Sequence, residues 1–385
     1  MTRMTAWTTT ILFCILAVVL AGCGKGNQDT VRIGVSLPLT GDAAVWGKSQ
    51  QDGYELACEQ INAKGGINGK KIQLVYGDDT GLPKDGVSVL RKLIDVDRIE
   101  VLTGVANSSV ALAFIPIIDK EKILFMSSGA SSPKLTGASK YFFRTWPSDI
   151  AEALAMAKYA YGEMKIRTVA VLYINNDYGI GLLEPFKKTY ESLGGKVLSA
   201  ESFEQNATDF RAQLTKLQAL NADAIYLAGN PREMARAITQ ARELGIKSQI
   251  LSISVLNDKE VFDILKPGDI EGTVITDASL DRESDDPAVK KFLADFRTKF
   301  NREPGLMANT AYDALTILAQ GIAQVGTDAD SLSSFLYGLR DYTAVSGDMS
   351  FTKGGDVQRP IRIAVCRNAH FDVLLRDFRW YEVKE

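Results

Sequence analysis

Residues 102–132, LTGVANSSVALAFIPIIDKEKILFMSSGASS, contain two short apolar segments that each open into a loop of small and hydroxyl residues. The first segment, 101–103, leads into the loop 104–109 and a helix, and the second, 123–126, leads into the loop 127–132. In a parallel sheet both loops leave the carboxyl edge, where open α/β folds bind ligands. The stretch therefore predicts two neighbouring strands with a ligand site at their ends.

The chemistry of these two loops suits an anion. Both offer hydroxyl groups and free backbone N–H groups, and the first loop, with Asn107 and Ser108, stands at the start of a helix. A helix start presents unpaired N–H donors and a partial positive charge, which favours a carboxylate. The alternative is that the loops only cap helices, since Ser and Asn are good N-caps. Two such loops at neighbouring strand ends favour ligand binding.

Length and composition fit a globular protein of two domains. The chain has 385 residues, of which 46% are apolar and 24% are charged. Its formal net charge of −3 gives no reason to expect nucleic acid as a partner. The single histidine, His370, argues against a Ser-His-Asp triad and against a histidine-rich metal site. We therefore predict neither a cofactor nor a bound metal.

The N-terminus has the pattern of an export signal. The apolar run 11–20 is too short to span a membrane comfortably and fits the core of a signal peptide. It ends in LAGC at 20–23, which resembles the bacterial lipoprotein box and implies removal of residues 1–22, lipidation of Cys23 and a flexible tether over 23–30. The protein is then exported and lipid-anchored, in the periplasm or at the cell surface. An ordinary cleaved signal with a chance cysteine is the alternative.

Two cysteines, Cys58 and Cys366, remain in the part of the chain that folds. Their separation in sequence does not suggest a metal motif. We predict buried or half-buried free thiols, with a disulfide as the alternative.

From residue 31 the sequence alternates between strand-like and helix-like segments. Short apolar runs bounded by turn residues predict strands, and apolar positions three or four apart predict helices. Two successive runs of such units indicate two α/β lobes with parallel sheets. The predicted strands are 31–37, 71–76, 101–103, 123–126, 141–146, 168–173, 196–202, 224–227, 249–253, 272–276, 361–365, 371–375 and 378–383. The predicted helices include 47–63, 85–96, 179–193, 209–220, 232–244, 287–300 and 307–325.

Several motifs, in order, resemble one known family. NAKGGINGKKI at 62–72, followed by two aspartates at 78–79, resembles the first βαβ unit of type I periplasmic binding proteins. DYGIG at 177–181, the segment 233–245 and AYDA at 311–314 follow at matching spacing. Over nearly all of its length after the tether, the chain is similar to the leucine/isoleucine/valine-binding proteins of ABC transporters.

This resemblance implies an α/β architecture of two doubly wound lobes with parallel sheets, joined by three crossings and closing on a small solute. The crossings would fall near 146–147, near 277–278 and around 347–358. The first lobe would comprise residues 31–146 and 279–348, and the second would comprise residues 147–278 and 349–385.

The resemblance also implies binding residues. Ser108 and Ser131 would hold the ligand carboxylate, and the carbonyl group of Gly129 would accept a hydrogen bond from a ligand amine. Trp46, from the first βα loop, and Tyr178, from the second lobe, would form aromatic walls. The two serines lie in the loops from which an anion site is predicted independently.

The sequence departs from this family at the ammonium end of the site. The acidic residue that balances a ligand ammonium in the branched-chain amino-acid binders aligns with Ser254, and a tyrosine of those binders is replaced around Asn230. An ammonium without that carboxylate loses about 1–3 kcal/mol or more of compensation in a dry cleft. Asp277 or Glu233 could substitute, but no spacing argument selects either. The ligand is therefore left open between a branched-chain or other amino acid and an aromatic or aliphatic acid.

The resemblance implies an extracytoplasmic solute-binding lipoprotein that is not an enzyme. It would capture a small carboxylate-bearing solute by lobe closure and deliver it to the permease of an ABC importer. It would act as a monomer and meet the membrane only through its anchor. The alternative is a ligand-sensing protein of the same fold that signals to a membrane partner. A dinucleotide-dependent enzyme is disfavoured, because PLTGD at 38–42 is not the G-x-G-x-x-G loop.

Overall fold

The structure, a computed structural model, describes residues 30–41, 43–340 and 342–379. The predicted signal peptide, Cys23 and almost all of the predicted tether lie outside the described residues. Within those residues, no helix combines the length and the apolar character needed to cross a membrane.

The first lobe begins with five parallel strands and the three helices that connect them. The strands are β1 (Thr30–Leu37), β2 (Lys71–Asp78), β3 (Val101–Gly104), β4 (Phe125–Ser127) and β5 (Phe142–Arg144). The helices are α1 (Ala44–Ala63), α2 (Pro83–Asp95) and α3 (Ser108–Glu121). The strand order is β2-β1-β3-β4-β5. Every residue of β3 and β4 is buried, as expected for central strands of a parallel sheet.

The second lobe continues the same alternation of strand and helix. Its parallel strands are β6 (Thr168–Ile174), β7 (Lys196–Phe203), β8 (Ala224–Ala228), β9 (Gln249–Ser252) and β10 (Val274–Asp277). Its helices are α4 (Asp149–Gly162), α5 (Asp177–Ser192), α6 (Arg211–Ala219), α7 (Pro231–Glu243), α8 (Lys259–Ile264) and α9 (Pro267–Ile270). The core of this lobe contains stacked rings of Phe186, Tyr190 and Tyr226.

After β10 the chain returns to the first lobe before it completes the second. The helices α10 (Pro287–Phe300) and α11 (Ala308–Val325) pack on α1, and α12 (Ala329–Gly338) packs on α11. A small antiparallel sheet follows, formed by β11 (Tyr342–Ala344), β12 (Gly347–Phe351) and β13 (Val357–Gln358). The strands β14 (Ile361–Arg367) and β15 (His370–Phe378) then extend the second sheet to the order β15-β14-β10-β9-β8-β6-β7. The prediction of two α/β lobes is confirmed, with a parallel first sheet and a mixed second sheet in which β14 pairs antiparallel with both β10 and β15.

The third crossing lies later in the chain than the sequence predicts. We predict a boundary at 348/349, yet the side chains of Met349, Phe351 and Val357 belong to the core of the first lobe. The strands β12 and β13 therefore pack with the first lobe, and the passage to the second lobe comes at residues 359–360. With this change, the lobe boundaries remain a proposal.

One predicted pair of strands at the C-terminus is wrong. The sequence predicts strands at 371–375 and 378–383, whereas β15 runs unbroken through Arg376 and Asp377. These charged side chains are exposed on an edge strand, where charges are tolerated because they discourage further pairing. Residues beyond 379 lie outside the described part of the chain.

Arg359 of the third crossing and Arg362, which follows on β14, bind the second crossing. Arg359 is buried, donates hydrogen bonds to the carbonyl oxygens of Ala278 and Ser346, and lies 5.8 Å from the ring centre of Trp146 in the first crossing. Arg362 donates to Asp277 Oδ2 at 2.8 Å. All three connections between the lobes therefore touch one another.

Both cysteines of the folded part are free thiols, as predicted. Cys58 is half-buried and Cys366 is buried. Burial raises the pKa of Cys58, and it raises that of Cys366 to about 11, so both remain protonated and unreactive near neutral pH.

Candidate ligand site

A cavity of about 230 Å³ lies between the two lobes at the carboxyl ends of the strands. At about 30 Å³ per water molecule it has room for roughly eight waters, which is the size range of a small amino acid or a small aromatic acid. The first lobe lines it with residues that include Trp46, Ala106, Asn107, Ser108, Gly129 and Ser131. The second lobe adds residues that include Asp149, Glu152, Asn176, Tyr178, Asn230 and Ser254. Every predicted binding residue is in this lining except Asp277 and the other suggested substitute, Glu233.

The two serine-rich loops converge as the strand register requires. In the sheet, Gly104 at the end of β3 pairs with Ser127 at the end of β4. The Oγ atom of Ser108 accepts hydrogen bonds from the backbone N–H groups of Ser131 and Ser132, at 3.2 and 3.0 Å. Ser108 and Ser131, which the sequence predicts to act together, are therefore neighbours.

The helix start at the first loop carries free donors. α3 begins at Ser108, and its N-cap, Asn107, makes no side-chain capping bond. The first N–H groups of a helix have no partner within it, so this end of α3 favours an anion. Just before it, Val105 has φ of 56°, a strained value for a β-branched residue, and its N–H donates to Ser36 O at 2.6 Å. The strand thus turns sharply to present the helix start to the cavity.

The second loop is held from behind by a buried hydrogen-bond network. Tyr54 donates its phenolic proton to Ser128 Oγ at 2.7 Å, and Ser128 donates to Gln50 Oε1 at 2.5 Å. Thr310, on α11, donates to the carbonyl oxygen of Ser128 at 2.8 Å. Burial raises the pKa of Tyr54 to about 12, so the phenol remains a donor. Around Ser128 the loop is therefore held by the first lobe, while the N–H group of Asp149 at the start of α4 donates to Ser131 O at 2.8 Å from the second lobe.

A buried arginine fixes the far end of the same loop. Arg144, at the end of β5, donates to Ser132 O at 2.9 Å and forms an ion pair with Asp356 through Nε at 2.7 Å. Both side chains are almost completely buried, at 0% and 5% exposed. Asp356 lies between β12 and β13, so the small antiparallel sheet that the sequence did not predict supports the ligand loop.

Gly129 stands where no larger residue fits. A Cβ atom at this position would lie 2.9 Å from Met307 Sδ and 3.0 Å from Ala106 Cα. These contacts leave the Gly129 backbone at the cavity wall, where the sequence comparison places a carbonyl acceptor.

Aromatic side chains from opposite lobes meet over the cavity. The rings of Trp46 and Tyr178 pack edge to face, with centroids 6.4 Å apart and planes at 85°. Tyr178 lies in the first turn of α5, where Asn176 Oδ1 accepts from its N–H at 3.1 Å. Because this contact joins the two lobes, the structure represents their closed arrangement.

A polar contact closes the rim of the cleft. Asp177, which begins α5, accepts hydrogen bonds from Ser109 Oγ at 2.9 Å and from Lys134 Nζ at 2.8 Å. Both donors belong to the first lobe. Burial alone would raise the pKa of Asp177, but the bonds from Lys134 and Ser109 outweigh it and hold that pKa below its ordinary value.

Two acidic residues in the wall were not predicted. Asp149 and Glu152 lie one turn apart on α4. Glu152 accepts hydrogen bonds from Ser254 Oγ at 2.5 Å, Ser254 N at 3.2 Å and Thr276 Oγ1 at 2.8 Å. Burial raises the pKa of Glu152 to about 7, against the lowering effect of these bonds, and it raises that of Asp149 well above its ordinary value. The sequence does contain a signal for these two acids. Asp149 and Glu152 lie seven and four residues before Met156, so on a helix they share the face that Met156 buries.

Asp277 does not line the cavity. Its carboxylate is bound by Arg362 at 2.8 Å and by Ser279 N at 2.9 Å. Burial would raise the pKa of Asp277, but Arg362 and Ser279 more than offset this and lower it. The other suggested substitute, Glu233, accepts from the backbone N–H groups of Asn206 and Asn230 and so shapes a loop. Neither of these carboxylates replaces the acid missing at Ser254.

Three polar atoms of lining residues are buried without a hydrogen-bond partner. They are Trp46 Nε1, which is a donor, the amide oxygen Oδ1 of Asn107, which is an acceptor, and Asp149 Oδ2, which is an acceptor when the carboxyl group is ionised. Buried polar groups are normally paired, so such atoms at a cavity suggest a missing partner. Among the described residues that line the cavity there is no Lys, Arg or His. No cluster of metal-binding side chains occurs in the part of the chain that the structure describes.

Comparison with known proteins gives consistent results. Residues 30–370 match the family described as periplasmic binding protein. A Leu/Ile/Val-binding protein homolog from Brucella suis biovar 1 is 32% identical over 350 residues, which cover 90% of this chain and 92% of the relative. The crystal structure of a leucine-binding protein from Thermotoga maritima superposes with a TM-score of 0.84, at 26% identity, covering 90% of this chain and 99% of that one.

A third similarity concerns the fold alone. A solute-binding protein of an ABC transporter from R. palustris, solved in complex with benzoate, superposes with a TM-score of 0.82. It is 19% identical and covers 90% of this chain and 96% of that one. The same fold therefore accommodates both leucine-type and aromatic-acid ligands in proteins similar to this one.

Proposed function

This chain belongs to the periplasmic binding protein family, is a binding protein rather than an enzyme, and from that premise we propose that it captures a small carboxylate-bearing solute for an ABC importer. The observation that carries this proposal is the cavity between the lobes, where the start of α3 and the two serine loops face Trp46 of the first lobe and Tyr178 of the second. The solute is a branched-chain or other amino acid, or an aromatic or aliphatic acid.

In this proposal the first lobe binds the carboxylate. Ser108, Ser131 and the free N–H groups at the start of α3 supply donors, and Trp46 Nε1 adds another donor without a partner in the protein. The Gly129 carbonyl and Tyr178 complete the main contacts. Asn107, Asn230 and Ser254, also in the lining, are secondary contacts.

Binding acts by stabilising the closed arrangement of the lobes. A ligand that contacts both lobes shifts the equilibrium from open to closed, and a permease can distinguish the two shapes. Micromolar affinity corresponds to about −8 kcal/mol, which a charge-assisted carboxylate site with an aromatic clamp can supply. No covalent chemistry is required.

The proposal places the protein outside the cytoplasm, as a monomer held to a bacterial membrane through lipidated Cys23. The N-terminal pattern of the sequence supports this, and a Cys23→Ser variant tests it. Wild-type protein should fractionate with membranes and take up labelled fatty acid, and the variant should do neither. Equal membrane association of both would contradict the anchor.

A thermal-shift screen of amino acids against aromatic and aliphatic acids tests the ligand class. Calorimetry on the hits should give affinities that Ser131→Ala and Ser108→Ala lower while both variants stay folded by circular dichroism. Unchanged titration curves for both variants would remove this site assignment. Loss of import of the same solute on deletion of the gene, restored by the wild-type gene, tests the transport role.

A further inference from the structure

We propose that Glu152 selects for a solute that carries a protonated amino group, so that the cavity accepts amino acids in preference to simple carboxylic acids. The inference rests on the proposed function, because it concerns the second charge of the same ligand. It assigns the selecting charge to α4, although the carboxylate that similar binders use aligns with Ser254.

The charges in the cavity wall favour a ligand with a positive group. Asp149 and Glu152 both line the cavity, and no basic side chain accompanies them among the lining residues that the structure describes. A ligand that brought only a carboxylate would leave these two acids, whose pKa burial raises, without a positive partner. A ligand with an ammonium supplies the missing positive charge, and its carboxylate still has the start of α3.

The hydrogen bonds around Glu152 hold it as an acceptor. Ser254 Oγ accepts from Ala278 N at 2.7 Å, and its only proton is directed to Glu152 Oε1 at 2.5 Å. Thr276 and the Ser254 N–H also donate to this carboxyl group. Neutral donors of this kind favour the ionised form without neutralising its charge. Ser254, at the position where the sequence comparison finds the acid missing, therefore positions an acid from another helix.

Other groups around Glu152 leave its charge available. The titratable and charged groups that face it are Asp149 on α4, Tyr178 on α5, Tyr226 on β8, Asp277 on β10 and Arg359 in the third crossing. Burial raises the pKa of both tyrosines, and Asp277 is paired with Arg362. Arg359 donates to backbone carbonyl oxygens in the crossings and does not line the cavity. None of these groups occupies the place of a ligand cation.

Aromatic rings complete the environment for a cation. Trp46, Trp146 and Tyr178 all line the cavity. The face of an indole or phenol ring attracts an ammonium, most strongly where water is excluded. This attraction adds to the charge of Glu152 and gives nothing to an anion.

The test compares amino acids with their deaminated counterparts by calorimetry. The probes are L-leucine, L-valine and L-alanine, each against the acid of the same carbon skeleton without the amino group. We expect wild-type protein to bind at least one amino acid about 10- to 100-fold more tightly than its deaminated counterpart. Glu152→Gln should remove most of that ratio by weakening the amino acid, and Glu163→Gln, an exposed acid after the same helix, should leave it unchanged.

The outcomes separate this inference from the proposed function. Deaminated acids that bind wild-type protein as tightly as the amino acids would overturn the inference and leave a carboxylate-binding protein. A ratio that persists in Glu152→Gln would also overturn it, and the wild-type comparison stands even where that variant fails to fold. Failure of every acid in both sets would overturn the inference, and the proposed function would fall only if the thermal-shift screen, which includes aromatic acids and other amino acids, also found no ligand. A further supporting result is an affinity for the amino acid that falls from about pH 8 to about pH 6 in wild type and stays flat in Glu152→Gln.

Discussion

Replacing Asp177 by asparagine should weaken ligand binding, although Asp177 does not line the ligand cavity. The carboxylate of Asp177 in the second lobe accepts bonds from Ser109 and Lys134 in the first, so both bonds are lost when the cleft opens. The residue therefore stabilises only the closed arrangement. Ligand affinity includes the free energy of closure, so a weaker closed form raises the dissociation constant.

The size of the expected loss in binding free energy follows from how exposed the two charged side chains are. The Lys134 side chain is 61% exposed and that of Asp177 is 29% exposed, so screening limits their ion pair to about 0–1 kcal/mol. The bond from the Ser109 hydroxyl to a charged acceptor adds about 1 kcal/mol, part of which an asparagine oxygen keeps. A total loss of about 0.5–2 kcal/mol corresponds to a dissociation constant about 2- to 30-fold higher.

Calorimetry with the solute found by the screen measures this factor. A double-mutant cycle with Lys134→Met isolates the ion pair, and Glu184→Gln, an exposed acid on the same helix α5, is the matched control. The effect of Asp177→Asn should shrink at high salt. Asp177 has a lowered pKa, so its contribution is present above the ordinary aspartate range and is lost as the pH falls through the lowered value. A variant that binds within about twofold of wild type at low salt would refute a closing role for Asp177.

Three further changes have defined outcomes. Ser108→Ala leaves the N–H groups of Ser131 and Ser132 without their acceptor, so affinity should fall by about tenfold or more and urea should unfold the variant about 1–3 kcal/mol more easily; equal affinity would contradict the site. Arg144→Met leaves Asp356 buried and unpaired, at a cost of about 3–5 kcal/mol in unfolding free energy; a loss below about 1 kcal/mol would argue against the buried pair. Burial raises the pKa of Asp79 to about 6, so the stability that its protonated form confers is present below the ordinary pKa and disappears as the pH rises through about 6. Asp79→Asn should therefore flatten the pH dependence of urea unfolding between about pH 4 and pH 7 by about 2–3 kcal/mol, and an unchanged slope would contradict this.

Helices with clear local signals were predictable from the sequence. α10 runs from Pro287 to Phe300, as predicted, because Asp286 caps its start by accepting from Ala288 N at 2.7 Å and Asn301 ends it in a left-handed conformation. The three strands of the small antiparallel sheet are two to five residues long, too short for a period to show. Their pairing depends on contacts with Arg144 and the first core, which no local pattern reveals.

The candidate site was predictable where it depends on strand ends. Loops that leave neighbouring parallel strands must converge, and Ser108 and Ser131 do so. The position of Glu152 depends instead on how α4 lies against β10 and the loop before Ser254, which is a property of the second lobe as a whole. Alignment compares positions in sequence and cannot show that an acid on α4 lies next to Ser254, so the sequence alone suggests Asp277 or Glu233 instead.

The network that joins Tyr54, Ser128 and Thr310 has a consequence for the timing of recognition. Since these bonds lie within the first lobe, they hold the loop at Ser128 even while the cleft is open, and closure adds the bonds to Asp149 and Asp177 of the second lobe. The entropy of ordering this part of the loop is lost once, as the chain folds, and not again at each encounter. A solute therefore first binds to preformed groups of the first lobe, and the second lobe then closes over it.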